Sequence, residues 1–219
     1  LGGNKMNINY KVFLKHAEKV AKTAHEGRPM LKGIHHDDKG TVTVTDSQRL
    51  YQAYNLNAPK NAVLHAITGE DITENGTYPN VSRLVPEADL EEGIRLTIID
   101  VKNFISLLKA TQTVAQAAGY KKNEALIQLT KDGISLYFPE EDKKDRYKFE
   151  YKPDFTRILS ESTVKTVINT QMLIELVEFF KDIKAKEMNI FMKSDHQPLY
   201  IRPETDEVKA IIAPVRTYK

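Results

Sequence analysis

Two stretches of the chain run through the same succession of patterns, and this repetition constrains the fold more than any single motif. Residues 8–54 read as a short strand at Ile8-Asn9-Tyr10, an amphipathic helix, a strand, an Asp/Gly turn and two more strands. Residues 94–151 repeat that order, and 164–215 begins it once more with a strand, a helix and three strands. A unit of this size cannot bury its apolar face alone, so its recurrence predicts modules that stack side by side. Strands joined by tight turns pair antiparallel, and helices with one apolar stripe must lie on one face of such sheets. The expected class is therefore α+β, not a parallel α/β sheet.

The helical stretches are legible from period and punctuation. Over 11–25, Val12, Phe13, Ala17, Val20, Ala21 and Ala24 fall on one stripe with His16 beside it, and Gly27 and Pro29 end the run. Lys11, Lys15, Lys19 and Lys22, spaced four, four and three, share another face of the same helix. Such a row is either a solvated face or a set of contacts to backbone phosphates. A second helix is predicted over 101–118, with Asp100 as its N-cap, Gly119 as its stop and a stripe of Phe104, Leu107, Leu108, Thr111, Val114, Ala115 and Ala118. A third runs from Asn169 or Thr170 to about Lys181 and buries Met172, Leu173, Leu176, Val177 and Phe180. Strands are predicted at 30–36, 41–45, 49–54, 61–68, 94–98, 125–130, 134–138, 147–151, 164–168, 188–192, 199–202 and 208–215, with 140–145 as a charged hairpin loop. Residues 1–5 read as a leader before Met6, and the irregular stretch 69–90 holds a linker. The expected division is a partial domain at 6–90 and a complete one at 91–219.

Composition excludes several classes of function. The 219-residue chain has no cysteine, which removes disulfides, thiolate zinc sites and a cysteine nucleophile and points to a cytoplasmic setting. No apolar run approaches the roughly 18–20 residues of a membrane span. A net charge of +2 confines any nucleic-acid binding to local patches. His35-His36-Asp37-Asp38 invites a metal reading, but neighbouring residues on a strand point to opposite faces and cannot share an ion. There is no glycine-rich phosphate loop, no Gly-x-Ser-x-Gly elbow and no His-Glu-x-x-His stretch. We therefore expect no enzyme activity, no metal and no cofactor.

The chain ends on Ile211-Ile212-Ala213-Pro214-Val215-Arg216, an apolar strand with a proline, which places it at a sheet edge. Three stretches, taken together, resemble the bacterial DNA polymerase III beta subunit, the sliding clamp. Gly40-Thr41-Val42-Thr43-Val44-Thr45-Asp46-Ser47-Gln48-Arg49-Leu50 is similar to that family's Thr-Asp-Gly-His-Arg-Leu segment. Tyr78-Pro79-Asn80-Val81-Ser82-Arg83-Leu84-Val85-Pro86 looks like its Phe-Pro-Asp-Tyr-x-x-Val-x-Pro stretch, and Pro198-Leu199-Tyr200-Ile201 with the final strand looks like its Met-Pro-Val-Arg close.

That resemblance implies a DNA clamp fold, with the family's first domain missing and its middle domain shortened. It implies a peptide-binding cleft of Thr45, Leu50, Pro79, Leu84, Ile212, Ala213, Pro214, Val215 and Arg216. It also implies helices that face double-stranded DNA through Lys11, Lys15, Lys19, Lys22, Lys102 and Lys109, with Glu175, Glu178 and Asp182 on the third helix opposing that role. The expected function is that of a DNA polymerase processivity factor: a homo-oligomeric ring that slides on DNA while its cleft holds peptide motifs of a polymerase or clamp loader. The alternative is an adaptor or decoy that binds such peptides without encircling DNA. Ser47-Gln48 in place of the family's Gly-His, and Ala213 in place of its methionine, are the departures that bear on peptide preference.

Overall fold

The computed structural model describes residues 8–86, 92–120, 122–138, 147–152, 155–158 and 163–215. In chain order its elements are α1 (Tyr10–Lys22), β1 (Gly33–His36), β2 (Val42–Thr45), β3 (Arg49–Ala53), β4 (Ala62–His65), β5 (Ile94–Ile98), α2 (Val101–Ala117), β6 (Glu124–Thr130), β7 (Gly133–Phe138), β8 (Tyr147–Tyr151), β9 (Phe155–Ile158), β10 (Thr163–Asn169), α3 (Thr170–Asp182), β11 (Met188–Met192), β12 (Leu199–Pro203) and β13 (Val208–Ile212). The chain forms two compact units, one within Leu1–Pro86 plus Thr205–Ile211, the other within Glu87–Glu204 plus Ile212–Lys219.

In the first unit the strands lie in the order β4-β1-β2-β3-β13. The pairings of β1 with β2 and β4, and of β2 with β3, are all antiparallel. α1 packs across β1, β2 and β3. Phe13, His16, Ala17, Val20, Ala21 and Ala24 are buried, so the predicted stripe is the core face, with Val12 at its margin. Ile8-Asn9-Tyr10 is not a strand. Asn9 is the N-cap, its side chain accepting from Lys11 N at 2.8 Å, and Tyr10 opens the helix. The capping bond satisfies an otherwise orphaned N–H, which a two-residue apolar run cannot outweigh. The helix stops at Lys22, short of the expected His25. The predicted strand 30–36 divides in two: Pro29–Lys32 is a turn of 3-10 helix, and the ladder begins at Gly33.

The second unit holds an antiparallel sheet of order β10-β6-β7-β8 and the strand run β12-β11-β5-β9. α2 and α3 pack against each other. Asp100 caps α2 through Asn103 N at 2.9 Å, and Asn169 caps α3 through Gln171 N at 3.0 Å. All five residues expected to be buried on α3 are buried, together with Ile174 and Phe179. On α2 the expectation holds for Phe104, Leu108 and Ala115, but Leu107 and Val114 are exposed. β9 is an element the sequence pattern did not announce, the last strand ends at Ile212 instead of Val215, and the expected loop 140–145 lies outside the described residues. Gly93 enters β5 with φ +99°, and a Cβ there would stand 2.0 Å from the Met192 carbonyl oxygen, so only glycine fits.

His35 and His36 point opposite ways, as alternation on a strand requires. His35 stacks on Tyr78 with ring centroids 5.1 Å apart. His36 is fully buried and hydrogen-bonded through Nε2 to the Tyr10 hydroxyl at 2.7 Å. Burial holds both imidazoles below their ordinary range, with Asp37 partly opposing this at His35. A histidine whose folded-state pKa is depressed contributes stability in full above its unfolded pKa and loses it as pH falls. The urea midpoint is therefore expected to be flat from pH 8 to about 7. Below about pH 6.5 it should fall, the unfolding free energy dropping by up to ~1.4 kcal/mol per pH unit for each such histidine. His36→Gln should flatten that acid limb, and an equally steep limb in the variant would contradict the assignment.

Candidate functional site

The corner between β2 and β3 is densely hydrogen-bonded. Asp46 and Arg49 form an ion pair at 3.1 Å with each side chain 2% exposed. Asp46 Oδ1 accepts from Gln48 N at 2.9 Å and Arg49 N at 2.8 Å, while Oδ2 accepts from the Thr23 hydroxyl at 2.6 Å. Arg49 Nη2 donates to the Lys19 carbonyl at 3.2 Å and to Thr23 Oγ1 at 3.3 Å. The corner is thus tied to the last turn of α1. The Thr45 hydroxyl donates to the Arg49 carbonyl at 2.7 Å and accepts from Ser47 N at 3.1 Å, closing the turn. Buried charges are tolerated only when paired and hydrogen-bonded, and here both conditions hold. In the sequence Asp46 and Arg49 stand only as letters of the motif. Their signal is an Asp and an Arg three apart between two strands.

Ser47 stands at the tip with φ +79°, in the left-handed region. The resemblance places a glycine here, and the backbone conformation gives the physical reason. In this chain the Ser47 hydroxyl accepts from Arg28 Nη1 at 2.7 Å.

The proposed cleft residues divide by exposure. Thr45 and Leu50 are buried, whereas Pro79 is exposed and Leu84 is 62% exposed. Tyr78 anchors the Pro79 segment by donating to the Thr43 carbonyl at 3.4 Å, and burial pushes its phenol well up. Ile212 is buried, Ala213, Pro214 and Val215 are half-buried, and Arg216 lies outside the described residues. Val215 N donates to the Val167 carbonyl at 2.8 Å, which fixes the backbone beyond the strand end.

The proposed DNA-facing lysines also divide. Lys11, Lys15 and Lys22 are exposed and Lys19 is half-buried. Lys22 pairs with Glu18 at 2.6 Å. Lys102 is exposed, but Lys109 on α2 is paired with Glu178 on α3 at 2.6 Å. Among the described residues no group of three or more His, Asp or Glu is placed to hold a metal ion, and no helix is long and apolar enough to cross a membrane.

No family model and no curated protein sequence matches the chain. Solved structures do. The DNA polymerase III beta chain of Streptococcus pneumoniae superposes with a TM-score of 0.71 at 19% identity, over 96% of this chain and 64% of that one. The beta subunit of Borrelia burgdorferi gives 0.71 at 15% identity, over 96% and 62%. The sliding clamp of Bacillus subtilis gives 0.69 at 16% identity, over 94% and 63%. The chain therefore has the sliding-clamp fold and spans a little under two thirds of the length of these clamps.

The corner makes a sharp prediction in urea unfolding. Asp46→Ala strands a buried guanidinium and should cost about 3–5 kcal/mol. Ser47→Gly loses the Arg28 bond but relieves the positive φ, and should stay within ~0.5 kcal/mol of the parent. A mild Asp46→Ala would show that the pair is not what holds the corner.

Proposed function

We propose that this chain is a sliding-clamp-like processivity factor. Several copies close into a ring on duplex DNA, contact the backbone without reading sequence, and tether a polymerase through its peptide motif. What supports the reading is the likeness of 96% of the chain to a beta chain at a TM-score of 0.71. The mechanism is topological and needs no chemistry by the protein: tethering raises the polymerase's effective concentration at the primer end. One chain of this size cannot surround a duplex, so self-association is part of the proposal, and closed cyclic symmetry is its natural form.

Partner peptides would dock on Thr45, Leu50, Pro79 and Leu84 and on the carboxy-terminal residues Ile212, Ala213, Pro214, Val215 and Arg216. The exposed Leu84 and Pro79 offer apolar surface of the kind that a large peptide side chain covers, each such burial contributing ~1.5–3 kcal/mol. The Bartonella birtlesii clamp is bound to griselimycin and the Borrelia burgdorferi beta subunit is in complex with a natural product. On the DNA side the α1 lysines carry the proposal. Lys22 contributes less, because a phosphate must first displace Glu18, and so does Lys109, paired with Glu178. That same ion pair favours the second reading, an adaptor that binds clamp-interacting peptides without encircling DNA.

Two experiments separate these. Lys15→Glu with Lys19→Glu should weaken duplex retention and make the log–log salt slope shallower by about two. Unchanged retention would leave the row a solvated face. A fluorescent clamp-binding peptide should bind the parent and lose tenfold or more with Val215→Asp, and absence of binding to the parent would contradict the cleft. Peptide binding without salt-sensitive DNA retention would select the adaptor.

A further inference from the structure

Alternation along β1 turns His36 toward α1, where it meets Tyr10, and His35 toward the other face of the sheet. That other face is crossed by the stretch from Tyr78 to Pro86, which carries the proposed cleft residues Pro79 and Leu84. The stretch is pinned at both ends. At its start the Tyr78 ring stacks on His35, the planes 17° apart and the centroids 5.1 Å apart, and the Tyr78 hydroxyl donates to the Thr43 carbonyl on β2 at 3.4 Å. At its end Lys209 on β13 donates from Nζ to the Pro86 carbonyl at 3.1 Å and lies 5.5 Å above the centre of the Tyr54 ring. With the strands ordered β4-β1-β2-β3-β13, the stretch is a strap from β1 and β2 across to β13.

Between its pins the strap has little to hold it. Leu84 N donates to the Val81 carbonyl at 2.9 Å and Asn80 Oδ1 accepts from Ser82 N at 3.0 Å, yet of residues 79–85 only Val85 is buried. A segment with few buried contacts opens locally at small cost unless its ends are fixed. Where Pro79 and Leu84 stand therefore depends on the two pins.

A proton can undo one of them. In the ladders His35 stands opposite Thr43 on β2 and Val63 on β4, neither of them charged. Asp37, two residues along β1, and His65 on β4, opposite Gly33, share its face, and His65 Nδ1 accepts from Thr68 N at 3.2 Å. Tyr78 covers it from the strap with a phenol that burial keeps neutral. Burial holds the His35 imidazole below its ordinary range against the opposing pull of Asp37, so the stack favours the neutral ring. The stack is therefore complete above the ordinary histidine range and is lost as pH falls through the lowered one.

We propose that His35 is a positioning residue: stacked on Tyr78 it latches the 78–86 strap to the sheet and sets Pro79 and Leu84 for a partner peptide, and on taking up a proton it releases them. Its effect on peptides rests on the cleft proposed above. The latch itself does not, and it is measured without peptide.

Hydrogen exchange of the Leu84 amide in the full chain, expressed as protection relative to the unstructured peptide at the same pH, reads the latch. In the parent, protection should be about three- to tenfold lower at about pH 5.5 than at about pH 8. His35→Phe keeps an aromatic partner without a titrating group, so it should match the parent at the higher pH and lose little at the lower. His35→Ala should be low at both. Lys209→Met removes the other pin and should lower protection at both while leaving the ratio between them unchanged. Acid loss in His35→Phe as large as in the parent would overturn the latch, a comparison that stands even if His35→Ala does not fold. A fluorescent clamp-binding peptide without histidine then tests the positioning. The parent should bind it threefold or more weaker at the lower pH, and His35→Phe about equally at both. A parent whose latch opens in acid while its peptide affinity stays flat would overturn the positioning role. A parent that binds no peptide at either pH would remove the cleft and the positioning role with it, while the exchange result would still decide the latch.

Discussion

The pairing of Asp46 with Arg49 is the interaction on which the first unit depends. A carboxylate and a guanidinium that are both removed from water need every bonding position filled, and the surroundings supply the partners: two backbone amides, the Thr23 hydroxyl and the Lys19 carbonyl. This fixes the β2–β3 turn against the end of α1, so the lysine-bearing helix and the Thr45–Leu50 segment hold one relation within the unit. Such a pair confers geometry more than net stability, since well-packed apolar residues could stabilise as much. Its cost is accepted where a surface segment must be held in one conformation, here with Ser47 at positive φ on its tip.

The second unit is held together differently. Its helices begin on side-chain caps, Asp100 and Asn169, and α3 is buried on nearly every apolar residue it carries. Between α2 and α3, Gln112 donates to Gln171 and Lys109 pairs with Glu178, while Gln112 also donates to Asn123 ahead of β6. On the proposed reading that ion pair bears on DNA contact as well as on packing, because it partly neutralises the helix surface proposed to meet phosphates.

Much of this fold is legible in the sequence because helix period, caps and Asp/Gly turns act locally. Asp100, Asn169 and Gly119 stand where capping chemistry demands them, and the ladders 94–98 and 147–151 have the expected bounds. What was not legible depended on distant neighbours. Ile8-Asn9-Tyr10 looks extended until Asn9 has a helix to cap. Leu107 and Val114 share a period with the core, yet period alone does not say whether anything packs on that flank. The candidate site divides in the same way. Its segments are visible as motif letters, but the burial of Thr45 and Leu50, the exposure of Leu84 and the bonding of Asp46 to Thr23 follow from the tertiary structure.

We propose that this clamp-fold chain holds DNA topologically, by surrounding it instead of merely adhering to it. The most direct measurement is its dissociation lifetime, at fixed high salt, from a linear duplex with free ends against the same duplex with both ends blocked by a bulky protein after loading. A sliding ring leaves through the ends, so blocking should lengthen the lifetime many-fold. Equal lifetimes on the two substrates would contradict the claim.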